Sequence, residues 1–268
     1  MLGLIFLRHA DKRFTRVEAV LTAKGIPAID REATDYHAEG VLYLPLEARI
    51  SYLVKLTESA NLGKAIDHAM TLVEQHNPEL LGVLPRGYHL LPRATLVELL
   101  RLFAAVDLDG DAFGKVYEYF LGNFALKEGQ KGGVFFTPTS VVRLIVEVLQ
   151  PNHGRIFDPA CGSGGMFVQS AAFVQRHKRN ARTELTVFGT KKSADTGKLA
   201  KMNLAVHGLS GDIREANTYY EDPHKVLGKF DFVMANPPFN VSGVDKDRLK
   251  DDVRFPLGLP STDNANYL

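Results

Sequence analysis

The sequence predicts an α/β fold, an open parallel sheet with helices on its faces, preceded by an all-helical region. Three observations carry this. From Gly154 onward short apolar runs alternate with helical patterns, and the first of those runs ends in a glycine-rich turn. Before residue 150, apolar residues recur at helical rather than strand spacing.

Each element follows from local signals. Leu2, Ile5, Phe6, Phe14 and Val17 share a helical face, and Gly25 followed by Pro27 stops that helix. Further helices are predicted over Leu62 to Gln75 (ended by Asn77-Pro78), Ala94 to Ala105 and Asp111 to Gly122. Gly129 to Gly133 reads as a flexible loop. Thr137-Pro138 then reads as an N-cap with proline at the first helical position, opening a helix through Val148. Arg155 to Asp158 is the first strand, followed by a helix from Gly165 to Arg176. Leu185 to Gly189 is the second strand, followed by a helix through Leu204. A third strand lies near Asp212-Ile213, and Lys229 to Ala235 reads as a buried fourth. Ligands of such sheets bind at the carboxyl ends of the strands, where Asp158 and Asn236 fall.

Composition bounds the function. The chain has 268 residues, 45% hydrophobic and 24% charged, as an ordinary globular protein does. No apolar run approaches the roughly 18 residues that span a bilayer. The apolar opening Met1 to Leu7 lacks a basic segment in front and a small-residue cleavage site behind, so it does not read as a secretory signal. The single cysteine, Cys161, excludes an internal disulfide and suits a cytoplasmic protein. A net charge of +1 gives no global pull toward nucleic acid, so any DNA-facing positive surface is local or lies on a partner.

Two segments carry chemistry. Asn236-Pro237-Pro238-Phe239, at the end of the fourth strand, suits alkylation of a planar exocyclic amine, whose lone pair is delocalised into its ring. Acceptors at the Asn236 side-chain oxygen and the Pro237 carbonyl would grip the two amine hydrogens and localise that lone pair, and Phe239 offers a flat face to the ring. Asn-Pro as a mere strand-to-loop breaker is the alternative. The turn Asp158 to Gly165 is the second segment. Its glycines permit close backbone approach, and the helix start presents N–H groups to an anion. Phe167 stands where a dinucleotide fingerprint wants its third glycine, and no Gly-Lys-Ser/Thr ends the turn, so neither phosphate motif fits. A carboxylate at the strand end suits a ligand with a cationic group, such as an aminocarboxylate carrying a sulfonium.

These motifs resemble the modification subunits of type I restriction–modification systems, adenine-N6 DNA methyltransferases of the amino group. Phe135-Phe136-Thr137-Pro138 resembles the family's Phe-x-Thr-Pro element, which touches the methionine part of S-adenosyl-L-methionine. Asp158 to Met166, with Gly162, Ser163, Gly164 and Gly165, resembles its cofactor loop. Met202-Asn203-Leu204 and His207-Gly208 match the end of the following helix. Asn217-Thr218 falls where a polar residue meets the cofactor's adenine, and Asn236, Pro237, Pro238 and Phe239 match the catalytic tetrapeptide. The resemblance implies an S-adenosylmethionine-dependent methyltransferase (Rossmann-like) sheet over residues 133–268, incomplete, behind an all-helical N-terminal domain over 1–132. It implies methyl transfer to an adenine flipped from double-stranded DNA, since the amine cannot be reached in the stack. The partners it implies are a DNA-specificity subunit, with a second modification subunit and a restriction subunit as further members. Cys161 inside the cofactor loop reads as a small buried thiol.

The chain departs from the family at three points. Lys191 stands where the family has an acid that accepts hydrogen bonds from both ribose hydroxyls. A lysine cannot accept them. Weak cofactor binding is therefore expected, unless Asp195 or Glu184 serves instead. The sheet would stop at its fourth strand, leaving an apolar edge, and the N-terminus enters what resembles the middle of a helical domain. Both ends suggest a fragment, for which no methylation by the chain alone is expected. Asp107 to Asp111 places its glycine two positions early for a calcium loop, and the nine histidines show no metal-ligand spacing. The basic cluster Arg176, Lys178, Arg179 and Arg182 reads as a solvated helix end or as a phosphate contact. Two other readings stay open: a non-enzymatic remnant that binds helical partners, and a methyltransferase of RNA or of protein glutamine.

Overall fold

The computed structural model describes residues 1–105, 116–117, 119–120, 122–123, 137–225, 227–238 and 241–265, the side chain of Asp195 excepted. The chain divides into two compact units, Met1–Leu121 with Ala205–Gly208, and Gly122–Leu204 with Leu209–Leu268. The boundary expected between residues 132 and 133, the Gly129–Gly133 loop and the Asp107–Asp111 turn lie outside the described residues. So does part of the helix expected over 111–122.

The first unit is helical. Helix α1 (Leu2–Ala23) buries Leu4, Ile5, Phe6, Leu7, Phe14 and Leu21, and Gly25 in the left-handed region ends it. Short helices α2 (Ala33–Ala38) and α3 (Ile50–Leu53) escape periodicity because each is under two turns. Helix α4 (Leu62–His76) starts on Asn61, whose side chain accepts the Lys64 N–H at 3.0 Å. Helix α5 spans Arg93–Ala105. A Cβ added at Gly63 would stand 2.5 Å from the His89 Cα and 2.6 Å from the Tyr88 carbonyl oxygen, both backbone atoms. Gly63→Ala is therefore expected to destabilise the chain by about 1–3 kcal/mol in a thermal melt. Gly197→Ala, where an added Cβ meets nothing within 4 Å, is the control and should be neutral or stabilising.

The second unit holds the sheet. Its elements are α6 (Thr139–Leu149), β1 (Gly154–Asp158), α7 (Gly165–Arg176), α8 (Ala181–Glu184), β2 (Leu185–Lys191), α9 (Ala194–Val206), β3 (Gly211–Glu215) and β4 (Phe232–Val233). The four strands lie in the order β3-β2-β1-β4, all parallel, which is the predicted class. Asp158 pairs in register with Gly189, and Phe157 with Val233. One sheet face places Ile156, Leu185 and Val187 against Val142 and Val146 of α6 and Phe167, Ala171 and Val174 of α7. On the other, Phe230 stacks on Phe157 at 4.6 Å, and the His224 ring meets Phe157 and Phe188 edge-on. Beyond β4, residues 241–265 build a small core of Val244, Leu249 and Ala265 with Tyr219, Tyr220, Phe255 and Leu259.

Three expectations are corrected. The fourth strand is two residues long rather than seven, because only Phe232 and Val233 pair with β1, opposite Ile156 and Phe157. Val233 is 60% exposed on this edge of the sheet, so the strand is not buried. The second strand runs two residues past Gly189, to Lys191. Pro138, in an extended conformation, is itself the N-cap of α6, so Thr137 is not the cap. Proline holds the residue before it out of the helical region, and the Thr137 hydroxyl is used elsewhere.

Candidate active site

The carboxyl ends of β1, β2 and β3, and the exit from β4, bring the chemical residues to one end of the sheet. Asp158 closes β1 and is 2% exposed. Its Oδ1 accepts the Ala160 N–H at 2.9 Å, which starts the turn. Gly162 (φ +54°) and Gly164 (φ +78°) take left-handed conformations, and the Gly164 N–H donates to the Cys161 carbonyl at 2.7 Å. Gly164 is also the N-cap of α7, so Gly165 begins a helix whose first N–H groups have no intrahelical acceptor. The Ser163 carbonyl accepts from Asn203 Nδ2 at 2.9 Å, so α9 holds the turn from behind.

Two further ties reach this turn and Asn236. Thr218 Oγ1 donates to the Pro159 carbonyl at 2.6 Å, fixing the exit of β3 to the turn. Asn217 lies beside it, its Oδ1 accepting the Tyr219 N–H at 3.2 Å and its own N–H donating to Glu221 at 3.0 Å. Asn236 follows β4 and donates from Nδ2 to Thr137 Oγ1 at 2.9 Å, across 99 residues of sequence. Pro237 and Pro238 continue the chain from there. Thr137 and Asn236, singled out separately in the sequence, thus meet directly. Phe135, Phe136 and Phe239 lie outside the described residues.

The electrostatics centre on two buried titratable groups, Asp158 and Lys191. Lys191 ends β2 and is 7% exposed, with its carbonyl accepting the Ala216 N–H at 2.9 Å. Its side chain shares a strand face with Gly189, against which Cys161 Sγ packs. Burial pushes the Asp158 carboxyl up to about 7, opposed by the Ala160 N–H and by Lys191. Burial also lowers Lys191, opposed by Cys161 and Asp158. The Cys161 thiol is pushed up to about 12 by burial, which makes it an inert packing group.

Glu184 does not serve in place of Lys191. It precedes β2 at the amino end of the sheet, where Leu185 pairs with Gly154, and it binds Arg179 at 2.8 Å. Arg176, paired with Glu147, also lies at that amino end, so this part of the basic cluster stands away from Asn236.

Two relatives extend this picture. The type I restriction enzyme MjaIX methylase subunit of Methanocaldococcus jannaschii is 38% identical over 100% of this chain and 53% of its own length. The type I restriction enzyme HindI methylase subunit of Haemophilus influenzae is 40% identical over 78% of this chain and 50% of its own. The chain therefore spans about half the length of these curated relatives. The fold is shared with the crystal structure of a type I restriction-modification system methyltransferase subunit from Streptococcus thermophilus. That match has a TM-score of 0.71 at 22% identity and covers 95% of this chain and 61% of that one. Residues 1–103 match the HsdM N-terminal domain. Residues 108–268 match the N-6 DNA Methylase family model, and the chain belongs to that family.

Proposed function

We propose that this chain belongs to the modification subunit of a type I restriction–modification system. It would transfer a methyl group from S-adenosyl-L-methionine to the exocyclic amine of an adenine flipped from double-stranded DNA. Its partners in this reading are a DNA-specificity subunit, a second modification subunit and a restriction subunit, in the cytoplasm. Among the described residues no helix is long and apolar enough to cross a membrane.

The single observation that carries the reading is the Asn236–Thr137 hydrogen bond, at the same end of the sheet as the Asp158 turn. With one Nδ2 hydrogen held by Thr137, the Asn236 carbonyl oxygen is aimed away from it as an acceptor for an amine hydrogen. The Pro237 carbonyl would take the second hydrogen and Phe239 would stack on the base. No covalent enzyme intermediate is needed.

The residues fit the cofactor at one end and not at the other. A buried carboxylate at Asp158 and an N–H-lined glycine turn suit an aminocarboxylate that carries a cationic group. Phe135, Phe136, Thr137 and Pro138 would contact the methionine part, and Asn217 the adenine. Lys191 fits neither the ribose hydroxyls nor a positive charge. When bound, the cofactor supplies the electrophilic methyl group. The chain's own residues, Asn236 and Pro237, would hold the amine.

Isothermal titration of the purified chain with S-adenosyl-L-methionine tests the reading. Saturable binding, weakened about tenfold or more by Asp158→Ala, is the expected result. Lys191 favours a second reading, a fold that keeps the turn but has lost the cofactor. A folded chain that shows no saturation would establish that one.

A further inference from the structure

The segment that follows the catalytic tetrapeptide carries an arginine with an extensive set of backbone partners. The Arg254 side chain is 18% exposed. Its Nη1 donates to the carbonyls of Thr218 and Glu221, both at 2.9 Å, and its Nη2 to the Tyr219 carbonyl at 3.0 Å. Its Nε and Nη2 also bind the Asp252 carboxylate, at 2.9 Å and 2.5 Å, and that carboxylate takes the Arg254 backbone N–H at 3.0 Å. An ordinary ion pair explains only the Asp252 half of this set. The other half grips three carbonyls of one turn, which needs a planar fork rather than a point charge.

That turn is the one carrying Asn217 and Thr218. At its other end the Thr218 hydroxyl is bonded to the Pro159 carbonyl, next to Asp158. Around the grip, Tyr220 Oη accepts the Asp245 N–H at 2.8 Å, and the Arg248 guanidinium lies 4.2 Å from the Tyr220 ring centroid. A continuous series of bonds thus runs from residues 245–254 through the 217–221 turn to the Asp158 loop.

We infer that Arg254 is a positioning residue, which sets the Asn217–Thr218 turn against the cofactor loop from a segment beyond the catalytic tetrapeptide. Asp252 holds the guanidinium in the plane that this requires. The inference rests on the proposed cofactor reading and adds to it: residues 245–254 complete the adenosine half of the site, while Asp158 serves the aminocarboxylate half.

The test compares two ligands on the full chain. One is S-adenosyl-L-methionine; the other is 5′-deoxy-5′-methylthioadenosine, which keeps the adenosine and lacks the aminocarboxylate. Arg254→Lys should weaken both by the same factor, about tenfold, well below the melting transition and with unchanged far-UV circular dichroism. Amide exchange should quicken at Tyr220 and Glu221, whose N–H groups both bond the Asn217 carbonyl. In Arg254→Ala, millimolar guanidinium should restore part of the affinity.

A role in stability alone would lower the melting temperature and leave both affinities intact, and that result overturns the inference. So does a loss confined to S-adenosyl-L-methionine. If the Arg254 variants do not fold, Asp252→Asn is titrated instead; a matched loss of both ligands supports the inference and unchanged affinities overturn it. A wild-type chain that binds neither ligand overturns the cofactor reading and this inference with it.

Discussion

The Lys191→Glu variant is expected to bind S-adenosyl-L-methionine roughly 10- to 100-fold more tightly than the wild-type chain. Lys191 ends β2, the strand whose carboxyl end carries the ribose-binding acid in related sheets. A carboxylate there accepts hydrogen bonds from both ribose hydroxyls, whereas an ammonium accepts none. The substitution also removes a buried positive charge that competes with the cofactor's cationic groups for Asp158. Lys191→Met, which removes the charge without adding acceptors, should recover part of the gain. Equal affinities in all three proteins would place the ribose elsewhere.

The pH dependence has a definite sign. A cationic ligand favours the ionised Asp158, whose carboxyl stands at about 7 because of burial. Wild-type affinity should therefore climb as pH rises through 7, and loss of the proton from the lowered Lys191 acts in the same direction. Stability moves the other way. An aspartate raised from 3.8 to about 7 keeps a proton that the unfolded chain releases. Its contribution is full below 3.8 and is lost as pH rises through 7.

Asn236→Ala is expected to lower methyl transfer by roughly 10²- to 10³-fold, by analogy with removal of one preorganised hydrogen-bonding group, while cofactor affinity stays near wild type. The reaction would be measured as labelled methyl entering DNA, in the proposed assembly with a specificity subunit. Asn236→Asp keeps the acceptor, and the Thr137 hydroxyl can turn to donate to it, so it should retain more activity than alanine. Thr137→Val leaves the amide free to rotate and present its NH₂ to the amine. A loss of roughly tenfold is expected, corresponding to one hydrogen bond. Wild-type rates in the alanine variant would remove Asn236 from the chemistry.

Much of the architecture was legible because its signals are local. The Gly165–Arg176 helix follows a glycine turn and carries a continuous apolar face, so both ends read directly from composition. Asp158 and Asn236 were legible as strand-end polar residues. Thr137 was misread because its cap signal is local, while its partner Asn236 lies 99 residues away. The shortness of β4 depends on which strand lies beside it, and a single strand's apolarity does not encode that. Arg254 was invisible for a related reason. Its fork is satisfied by carbonyls, which every residue type carries, so nothing in the partners' side chains marks the contact.

The strand order has a consequence for how the protein assembles. β1 and β2 pair across α7 and α8, and β2 and β3 across α9, as the chain emerges in order. β4 must return to β1, and the Asp231–Arg155 contact that seats it bridges 76 residues. Closing so long a loop for a two-residue ladder makes this a late and weakly committed step. Asn236 therefore follows the shortest ladder of the sheet. Local opening at this end is expected to cost less than opening β1 and β2, and amide exchange at Met234, whose N–H bonds the Phe157 carbonyl, should be faster than at Val187 in β2.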